Sequence, residues 1–312
     1  MLCPGNTLTT SLYFLNSENH NQRSRAKIST IHDTFPLISI VVAVFNGITT
    51  LQQCIDSVAQ QTYLNKELII IDGGSNDGTV DVLKANQKKI TYWISASDRG
   101  IYNAWNRGLE QTKGEWICFL GADDYFWDAQ VLECMARHLG KMPASIRVAY
   151  GQVMLVNAHG ESLYLVGEPW QKVRKRFKQL MCIPHTGVIH RRSLFELHGR
   201  FDESFHVAGD YELLLRELKS ADASFVHDCI IAAMRVGGIS SVPANSLLVL
   251  REIRRATRMH GQFLPGRFWT MAMASVYIRL MLWGVLGERL ARKALDFGRR
   301  TIKGKAPFWT KT

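Results

Sequence analysis

Two adjacent carboxylates, Asp123 and Asp124, end a Gly-Ala-Asp-Asp turn that directly follows the apolar run at 116–120. Carboxylate oxygens are the ligands that Mg²⁺ and Mn²⁺ prefer, and substrate phosphates and water commonly complete such sites. The turn therefore predicts a site for Mn²⁺ or Mg²⁺ together with a phosphorylated ligand. Taken alone, the same four residues also fit a solvated turn after a strand.

Polar side chains also follow three earlier apolar runs of the chain. Asn46 follows the run at 37–44, Asp72 follows the run at 67–71, and Asp98 follows the short run at 92–94. In open α/β sheets, ligands bind beyond the carboxyl ends of the parallel strands. We therefore expect these side chains and the Asp123–Asp124 pair to meet at one crevice.

The elements that must position these residues alternate between strand and helix. The β-branched run at 37–44 is typical of a strand buried on both faces, and the apolar spacing of the next segment predicts a helix. The same alternation continues to residue 139, with Asn103 as the expected N-cap of the helix that carries Trp105. This pattern predicts an α/β fold with a Rossmann-like, mostly parallel sheet flanked by helices.

The pattern changes after residue 139. Residues 147–156 and 162–166 predict a β-hairpin, and residues 225–231 predict another strand. Asp210 stands at the start of a predicted helix, where an Asp is commonly only an N-cap. His185 precedes a predicted strand, and a buried structural histidine is as consistent with this position as a ligand-binding one.

The net charge of +11 is concentrated at one end of the chain. Residues 251–312 contain fourteen Lys or Arg and three Asp or Glu, whereas the two signs balance over residues 1–250. No nucleic-acid-binding motif accompanies this basicity, so no nucleic-acid partner is expected. The six cysteines stand singly, which argues against a zinc site or a disulfide framework and favours a cytoplasmic protein. The N-terminal residues do not have the pattern of a signal peptide, so none is expected.

The resulting organisation has three parts. We expect a loosely ordered extension at 1–35, a catalytic domain at 36–242 and a basic helical tail at 243–312. Within the domain, residues 36–128 form the nucleotide-binding half and residues 129–242 form the acceptor half.

Four motifs in this order resemble those of family 2 glycosyltransferases of the GT-A fold. They are Val-Phe-Asn at 44–46, Asp-Gly-Gly-Ser-Asn-Asp-Gly-Thr at 72–79, Asp-Arg-Gly-Ile-Tyr-Asn-Ala-Trp-Asn-Arg-Gly at 98–108 and Ala-Asp-Asp at 122–124. The resemblance spans roughly residues 36–242. It implies an inverting enzyme that moves a sugar from a nucleotide-sugar donor, usually UDP-linked, to a saccharide or lipid-linked acceptor in surface or extracellular polysaccharide biosynthesis. The Gln-x-x-Arg-Trp motif of processive members is absent, so a single sugar is expected per encounter.

The resemblance also implies roles for individual residues. Asp72 would accept hydrogen bonds from the base, while Asp98 and Arg99 would lie near the nucleotide and diphosphate. Asp124 is the first choice as metal ligand and Asp123 the second, because the family more often has a spaced Asp-x-Asp. The remaining candidates lie on the donor and acceptor sides: Asn46 and His185 near the ligands, Arg235 with Ser240 as a phosphate-facing basic loop, and Asp210 as the catalytic base.

Other functions stay open at this point. A dinucleotide-dependent dehydrogenase would need Gly-x-Gly-x-x-Gly after the first strand, and this motif is absent, as is a P-loop. A sugar-nucleotide pyrophosphorylase, or an inactive nucleotide-sugar-binding or scaffolding protein, shares the broad fold. The oligomeric state is not predicted.

The basic tail contains an apolar run at 268–287 with Arg279 just past its midpoint. Twenty residues are long enough to span a bilayer, but a central arginine is costly there. A helix that lies on an anionic membrane surface accounts for both the apolar and the basic residues. A helix packed on the catalytic domain is the alternative.

Overall fold

The computed structural model describes residues 36–238, 245–303 and 309. The predicted extension at 1–35, the domain boundary at 242 and Ser240 lie outside the described residues.

The described residues form nine strands in one sheet. The strands are β1 (Ile38–Val44), β2 (Lys66–Asp72), β3 (Tyr92–Ser95), β4 (Trp116–Gly121), β5 (Tyr125–Phe126), β6 (Val148–Val156), β7 (Ser162–Val166), β8 (Val188–Arg191) and β9 (Ser224–Arg235). Their order is β3-β2-β1-β4-β8-β6-β9-β5, and β7 pairs with β6. The first four strands are mutually parallel, whereas β8 is antiparallel to both β4 and β6. The predicted α/β class is confirmed, and the sheet as a whole is mixed.

Helices flank this sheet and extend beyond it. They are α1 (Leu51–Ala59), α2 (Thr79–Ala85), α3 (Ile101–Gln111), α4 (Val131–Leu139), α5 (Trp170–Phe177), α6 (Arg192–His198), α7 (Gly209–Leu218), α8 (Ser246–Met259) and α9 (Arg267–Lys303). A short 3₁₀ turn, His185–Gly187, precedes β8.

The core lies on both faces of the parallel strands. Successive side chains of a strand point to opposite faces, so Ile40 and Val42 pack in one layer with Leu51 of α1, while Val41 packs in the other with Trp105 of α3. This two-sided burial explains why β1 is mainly β-branched throughout, with the small residues Ser39 and Ala43, rather than alternately apolar and polar.

Two local predictions need correction. Asn103 does not cap α3, since it lies within the first turn and Gly100 precedes the helix. Its Oδ1 instead accepts the backbone N–H of Arg99 at 3.4 Å. Strand β9 continues to Arg235, beyond the predicted end at 231, because β6 offers pairing partners as far as Val156.

Candidate active site

The carboxyl ends of four parallel strands lie at one edge of the sheet. Val44 of β1 is in register with Asp72 of β2, Asp72 with Ser95 of β3, and Ala43 of β1 with Gly121 of β4. The loops that carry Asn46, Asp72, Asp98 and Asp123–Asp124 therefore leave the sheet together. This is the convergence that the sequence predicts.

Asn46 joins the loops after β1 and β2. It has a left-handed backbone with φ of 52°, which Asn tolerates better than most residues. Its N–H donates to Ser75 Oγ at 2.7 Å, and its Oδ1 accepts the N–H of Asn76 at 3.1 Å. Asn46 thus helps to shape this part of the edge, and direct contact with a donor stays a prediction.

Asp72 is fully buried and holds the loop that follows β2. Its carboxylate accepts the hydroxyl of Ser95 at 2.6 Å, the N–H of Ser75 at 3.0 Å and the N–H of Gly74 at 3.2 Å. It also accepts the hydroxyl of Ser75. These bonds offset the free-energy cost of burying the Asp72 charge. Contact between Asp72 and the nucleobase of a donor stays a prediction.

Asp98 lies against the same loop. A Cβ atom at Gly73 would be 2.7 Å from Asp98 Oδ2, so the two loops approach each other closely at a glycine. Asp98 Oδ1 accepts the N–H of Gly100 at 2.9 Å, immediately before α3. Asp98 is therefore next to the Asp72 loop, as expected for one donor site.

Arg99 connects this edge to the acceptor half of the domain. Its Nη2 lies 2.6 Å from Glu203 Oε2, although its own side chain is 78% exposed. Glu203 also accepts from Asn103 and Asn106, and its bonds to Arg99 and Asn106 hold the Glu203 pKa below its usual range. A phosphate that bound Arg99 would compete with this ion pair.

The Asp123–Asp124 pair has the character of a cation site. Asp124 is 7% exposed; its Oδ2 accepts the hydroxyl of Thr186 at 3.0 Å and its Oδ1 the N–H of Arg235 at 3.1 Å. Burial, and then the charge of Asp123, raise the Asp124 pKa to about 7. A bound cation would offset both effects by stabilising the ionised carboxylate.

The space around the pair also fits this role. A Cβ atom at Gly121 would lie 2.7 Å from Asp123 Oδ1 and 3.0 Å from Asp124 Oδ2, so both carboxylates fold over a glycine. Among the described residues no group of three or more His, Cys, Asp or Glu gathers around a metal position. Two protein carboxylates with phosphate and water as further ligands are a usual arrangement for Mg²⁺.

The Arg235 guanidinium bonds to other residues of the protein, and its contact with a phosphate stays a prediction. It donates to the Ala158 carbonyl at 2.8 Å and to Gln53 Oε1 at 2.5 Å. It also lies 5.8 Å from the centroid of the Tyr125 ring. In this arrangement the backbone N–H of Arg235, rather than its charge, contacts the acidic pair.

His185 lies on the 3₁₀ turn, next to Thr186. Its ring centroid is 5.1 Å from that of Trp105 and 5.3 Å from that of His190. Burial lowers its pKa to about 3, so the imidazole is neutral near pH 7. Its Nε2 is buried without a hydrogen-bond partner among the described residues. Contact of His185 with the acceptor or the diphosphate stays a prediction.

Asp210 is the second residue of α7, so it lies inside the first turn and is not the N-cap. Its Oδ1 accepts the N–H of Tyr211 at 2.8 Å and the hydroxyl of Tyr102 at 3.4 Å. Burial raises the Asp210 pKa to about 6 despite these bonds. The neighbouring Gly209 allows the Tyr102 ring to approach, since a Cβ atom there would lie 2.9 Å from it.

A continuous group of aromatic rings links Asp210 to the acidic pair. The Tyr102 and Trp105 centroids are 5.6 Å apart, and Trp105 is 5.1 Å from His185, whose neighbour Thr186 bonds to Asp124. Asp210 bonds to Tyr102 in the first turn of α3, so the proposed base lies beside the helix that directly follows the Asp98–Arg99 loop.

Four residues of the site were not singled out in the sequence. Tyr102 lies in a recognised motif, Thr186 follows His185 and Glu203 precedes Asp210 by seven residues, but only the fold shows their partners. Glu252 carries no signal in the sequence. Its carboxylate is 6% exposed and accepts the N–H groups of His206, Val207 and Ala208 at 2.8–2.9 Å, directly before Asp210.

Replacing Glu252 with Ala is expected to lower the free energy of unfolding by about 3 kcal/mol, because three backbone N–H groups lose a charged acceptor. Urea denaturation measures this change. Glu288→Ala is the matched control, since the Glu288 side chain is 67% exposed and pairs only across one helical turn with Arg292. Equal unfolding midpoints for both variants would contradict the role assigned to Glu252.

Comparison with known proteins agrees with this geometry. The glycosyl transferase family 2 pattern matches residues 39–197, half of the chain. A PGL/p-HBAD biosynthesis glycosyltransferase of Mycobacterium bovis is 28% identical over 229 residues, which are 72% of this chain and 86% of the relative.

Two solved structures are similar in fold. S. aureus TarS 1-349 in complex with UDP-GlcNAc has a TM-score of 0.55 at 18% identity, covering 70% of this chain and 66% of that one. The mannosyltransferase PcManGT from Pyrobaculum calidifontis, in complex with GDP-Man and Mn²⁺, has a TM-score of 0.54 at 16% identity, covering 88% and 77%. The motifs, the converging strand ends and these comparisons agree, and the chain belongs to glycosyl transferase family 2, with a GT-A type fold.

Proposed function

We propose that this glycosyltransferase moves one sugar, with inversion, from a nucleotide-sugar donor to a hydroxyl of a saccharide or lipid-linked acceptor. The observation that carries this proposal is the position of Asp210. Its carboxylate accepts the hydroxyl of Tyr102, in the first turn of the helix that follows the loop of Asp98 and Arg99. A base and a diphosphate site on opposite sides of a sugar are what a single displacement requires.

A UDP-linked sugar is the first choice of donor. The fold neighbours were solved with UDP-GlcNAc and with GDP-Man, which supports a nucleotide diphosphate sugar at the corresponding edge. Here that edge is formed by the loops around Asp72 and Asp98. Their hydrogen bonds hold them in place before a donor arrives, which reduces the entropy lost on binding.

Asp124 and Asp123 would hold Mn²⁺ or Mg²⁺. When bound, such a cation supplies Lewis-acid stabilisation of the negative charge on the departing diphosphate. The nearby Arg99 would add positive charge if it exchanged Glu203 for a phosphate oxygen.

Asp210 is assigned as the general base. Both hydrogen bonds that the Asp210 carboxylate accepts from the described residues go to Oδ1, and Oδ2 would accept the proton of the acceptor hydroxyl. The acceptor oxygen forms its bond to the anomeric carbon while the bond to the diphosphate breaks, and the diphosphate leaves with the electron pair. A single displacement inverts the configuration and needs no second carboxylate as nucleophile.

The raised pKa of Asp210 predicts a pH dependence. Only the ionised carboxylate accepts a proton, so kcat/KM should rise about tenfold per pH unit below about 6 and level off above it. The Tyr102 hydroxyl stabilises the ionised form. In Tyr102→Phe the inflection should therefore move to higher pH. Measured pH–rate profiles of both proteins test this sign, and an inflection that stays or moves lower would argue against Asp210 as the titrating base.

The biological setting is part of the proposal. We propose a cytoplasmic enzyme of surface or extracellular polysaccharide biosynthesis, and relatives named for PGL/p-HBAD biosynthesis support a biosynthetic role.

A donor screen tests the function directly. Each nucleotide sugar is added with Mn²⁺ or Mg²⁺, and the true donor should raise the melting temperature by mass action. The same donor should then release its nucleotide diphosphate in the presence of saccharide acceptors. If no nucleotide sugar shifts the melting temperature with either metal, the donor assignment is wrong.

A further inference from the structure

The longest helix of the described residues exposes a large apolar surface. Residues 267–301 of α9 are long and apolar enough to cross a membrane, yet only 6% of the most apolar window is buried. We call residues 277–290 the apolar segment. The exposed apolar side chains of this segment are Tyr277, Ile278, Leu280, Met281, Val285, Leu286 and Leu290.

The start of α9 is attached to the catalytic domain. Trp269 Nε1–H donates to the Leu250 carbonyl of α8 at 2.8 Å, and Val276 is buried in the core. The exposed surface therefore begins where α9 leaves this contact. An apolar surface of this kind on a monomer commonly marks an interaction site.

The helix breaks at Gly287, whose φ of 71° and ψ of 168° are not helical. Trp309 bridges the two parts, because its ring packs on Trp283 at 5.7 Å while its carbonyl accepts from Arg292 at 2.8 Å. Further along, the Arg299 guanidinium lies 4.9 Å from the Tyr164 ring of β7. The apolar segment is thus held between two attachments to the body of the protein.

Basic side chains flank the apolar segment on both sides. The second part of α9 carries Arg292, Lys293, Arg299 and Arg300, and α8 carries Arg251, Arg254, Arg255 and Arg258. All of the net positive charge of the chain lies in residues 251–312. An apolar surface bordered by cations is complementary to an anionic lipid bilayer, whose headgroups are negative and whose interior is apolar.

We propose that the apolar segment inserts into the interfacial layer of an anionic membrane, with the basic side chains on the lipid headgroups. Charge favours lipid over a second copy of this chain, since a dimer through this face would bring two strongly positive regions together. The break at Gly287 and the charges of Arg279 and Glu288 favour a helix that lies in the interface over one that spans it.

Helix α8 connects the start of α9 to the segment that precedes the proposed base. Helix α8 contacts α9 through Leu250 and holds the loop before Asp210 through Glu252. We therefore expect a lipid-linked acceptor to approach Asp210 from the side of α8. This last point rests on the proposed function, whereas membrane binding itself does not.

Vesicle flotation of the full chain tests the binding. We expect flotation with vesicles of phosphatidylcholine containing about one third phosphatidylglycerol, and little with phosphatidylcholine alone. Raising the salt from about 0.1 M to about 1 M should weaken the binding through screening. The double variant Met281→Glu with Val285→Glu should lower the partition coefficient about 100-fold, because two inserted apolar side chains become charged.

Leu64→Glu is the matched control, since Leu64 is 71% exposed and lies between α1 and β2. It should float like the wild type, and circular dichroism should show that all variants are folded. Equal flotation of wild type and double variant, or no flotation of wild type, would overturn the proposal. So would a wild-type dimer, seen by sedimentation, that the double variant dissociates. Wild-type protein that alkaline carbonate fails to strip from cell membranes would indicate a spanning helix and overturn the interfacial placement.

Discussion

Asp210→Asn is expected to lower sugar transfer about 10²–10⁴-fold while donor affinity stays within about twofold. The amide keeps the size of the carboxylate and can still accept the N–H of Tyr211 through its oxygen. It cannot accept the proton of the acceptor hydroxyl near neutral pH. The loss should therefore fall on kcat, with donor binding measured separately by calorimetry.

Asp202→Asn is the matched control for this variant. Asp202 lies in the same segment of the acceptor half, and its carboxylate accepts the N–H and hydroxyl of Ser204. It should transfer sugar at close to the wild-type rate. Normal transfer by Asp210→Asn would remove Asp210 from the mechanism, and weakened donor binding would indicate a role on the donor side.

Asp124→Asn is expected to lower both Mn²⁺ affinity and metal-dependent transfer about 100-fold or more. The reason is that one of the two carboxylates of the pair becomes a neutral amide. The fold should survive, since Asn retains an oxygen for the Arg235 N–H and an amide for Thr186. Removing the cation with EDTA should abolish transfer by the wild type, and added Mn²⁺ should restore it.

Mn²⁺ binding followed by electron paramagnetic resonance gives a readout that does not depend on activity. Asp81→Asn is the control, because the Asp81 side chain is 81% exposed and pairs only with Lys84. It should bind Mn²⁺ as the wild type does. Wild-type Mn²⁺ affinity in Asp124→Asn would show that the acidic pair is not the metal site.

The elements of the donor half were predictable because each has a strong local pattern. Residues Leu51, Cys54, Ile55 and Val58 recur at helical spacing, and they are the buried face of α1. The β-branched run before them is buried on both faces in β1. Apolar periodicity of this kind predicts which residues of an element are buried, and this prediction does not require knowledge of the rest of the fold.

The contacts of single side chains were less predictable from the sequence. Asn103 was expected as a cap from residue type alone, but a glycine precedes the helix and Asn103 turns towards Arg99 and Glu203. The guanidinium of Arg235 extends far from its backbone, so its strand position did not predict that it would bond to Ala158 and Gln53. Long polar side chains can bond to residues that are distant in the sequence, so their position in the chain does not identify their partners.

In the acceptor half, the packing of one helix on another was also not predictable from local sequence patterns. Glu252 lies 42 residues after Asp210, in a helix that combines apolar residues with four arginines. Its bonds to the three N–H groups before Asp210 arise because α8 packs beside α7. No local pattern in the sequence records that packing.

For this protein, the sequence alone determined the family, the order of strands and helices in the donor half, and the carboxylates that end the strands. Those properties are local, since apolar periodicity and turn residues act over a few positions. Only the tertiary structure decided which oxygens of Asp124 and Asp210 are occupied, which loop Glu252 holds, and that residues 277–290 stay exposed. Those properties depend on contacts between segments far apart in the chain, and the free energy of such contacts is set by packing rather than by neighbouring residues.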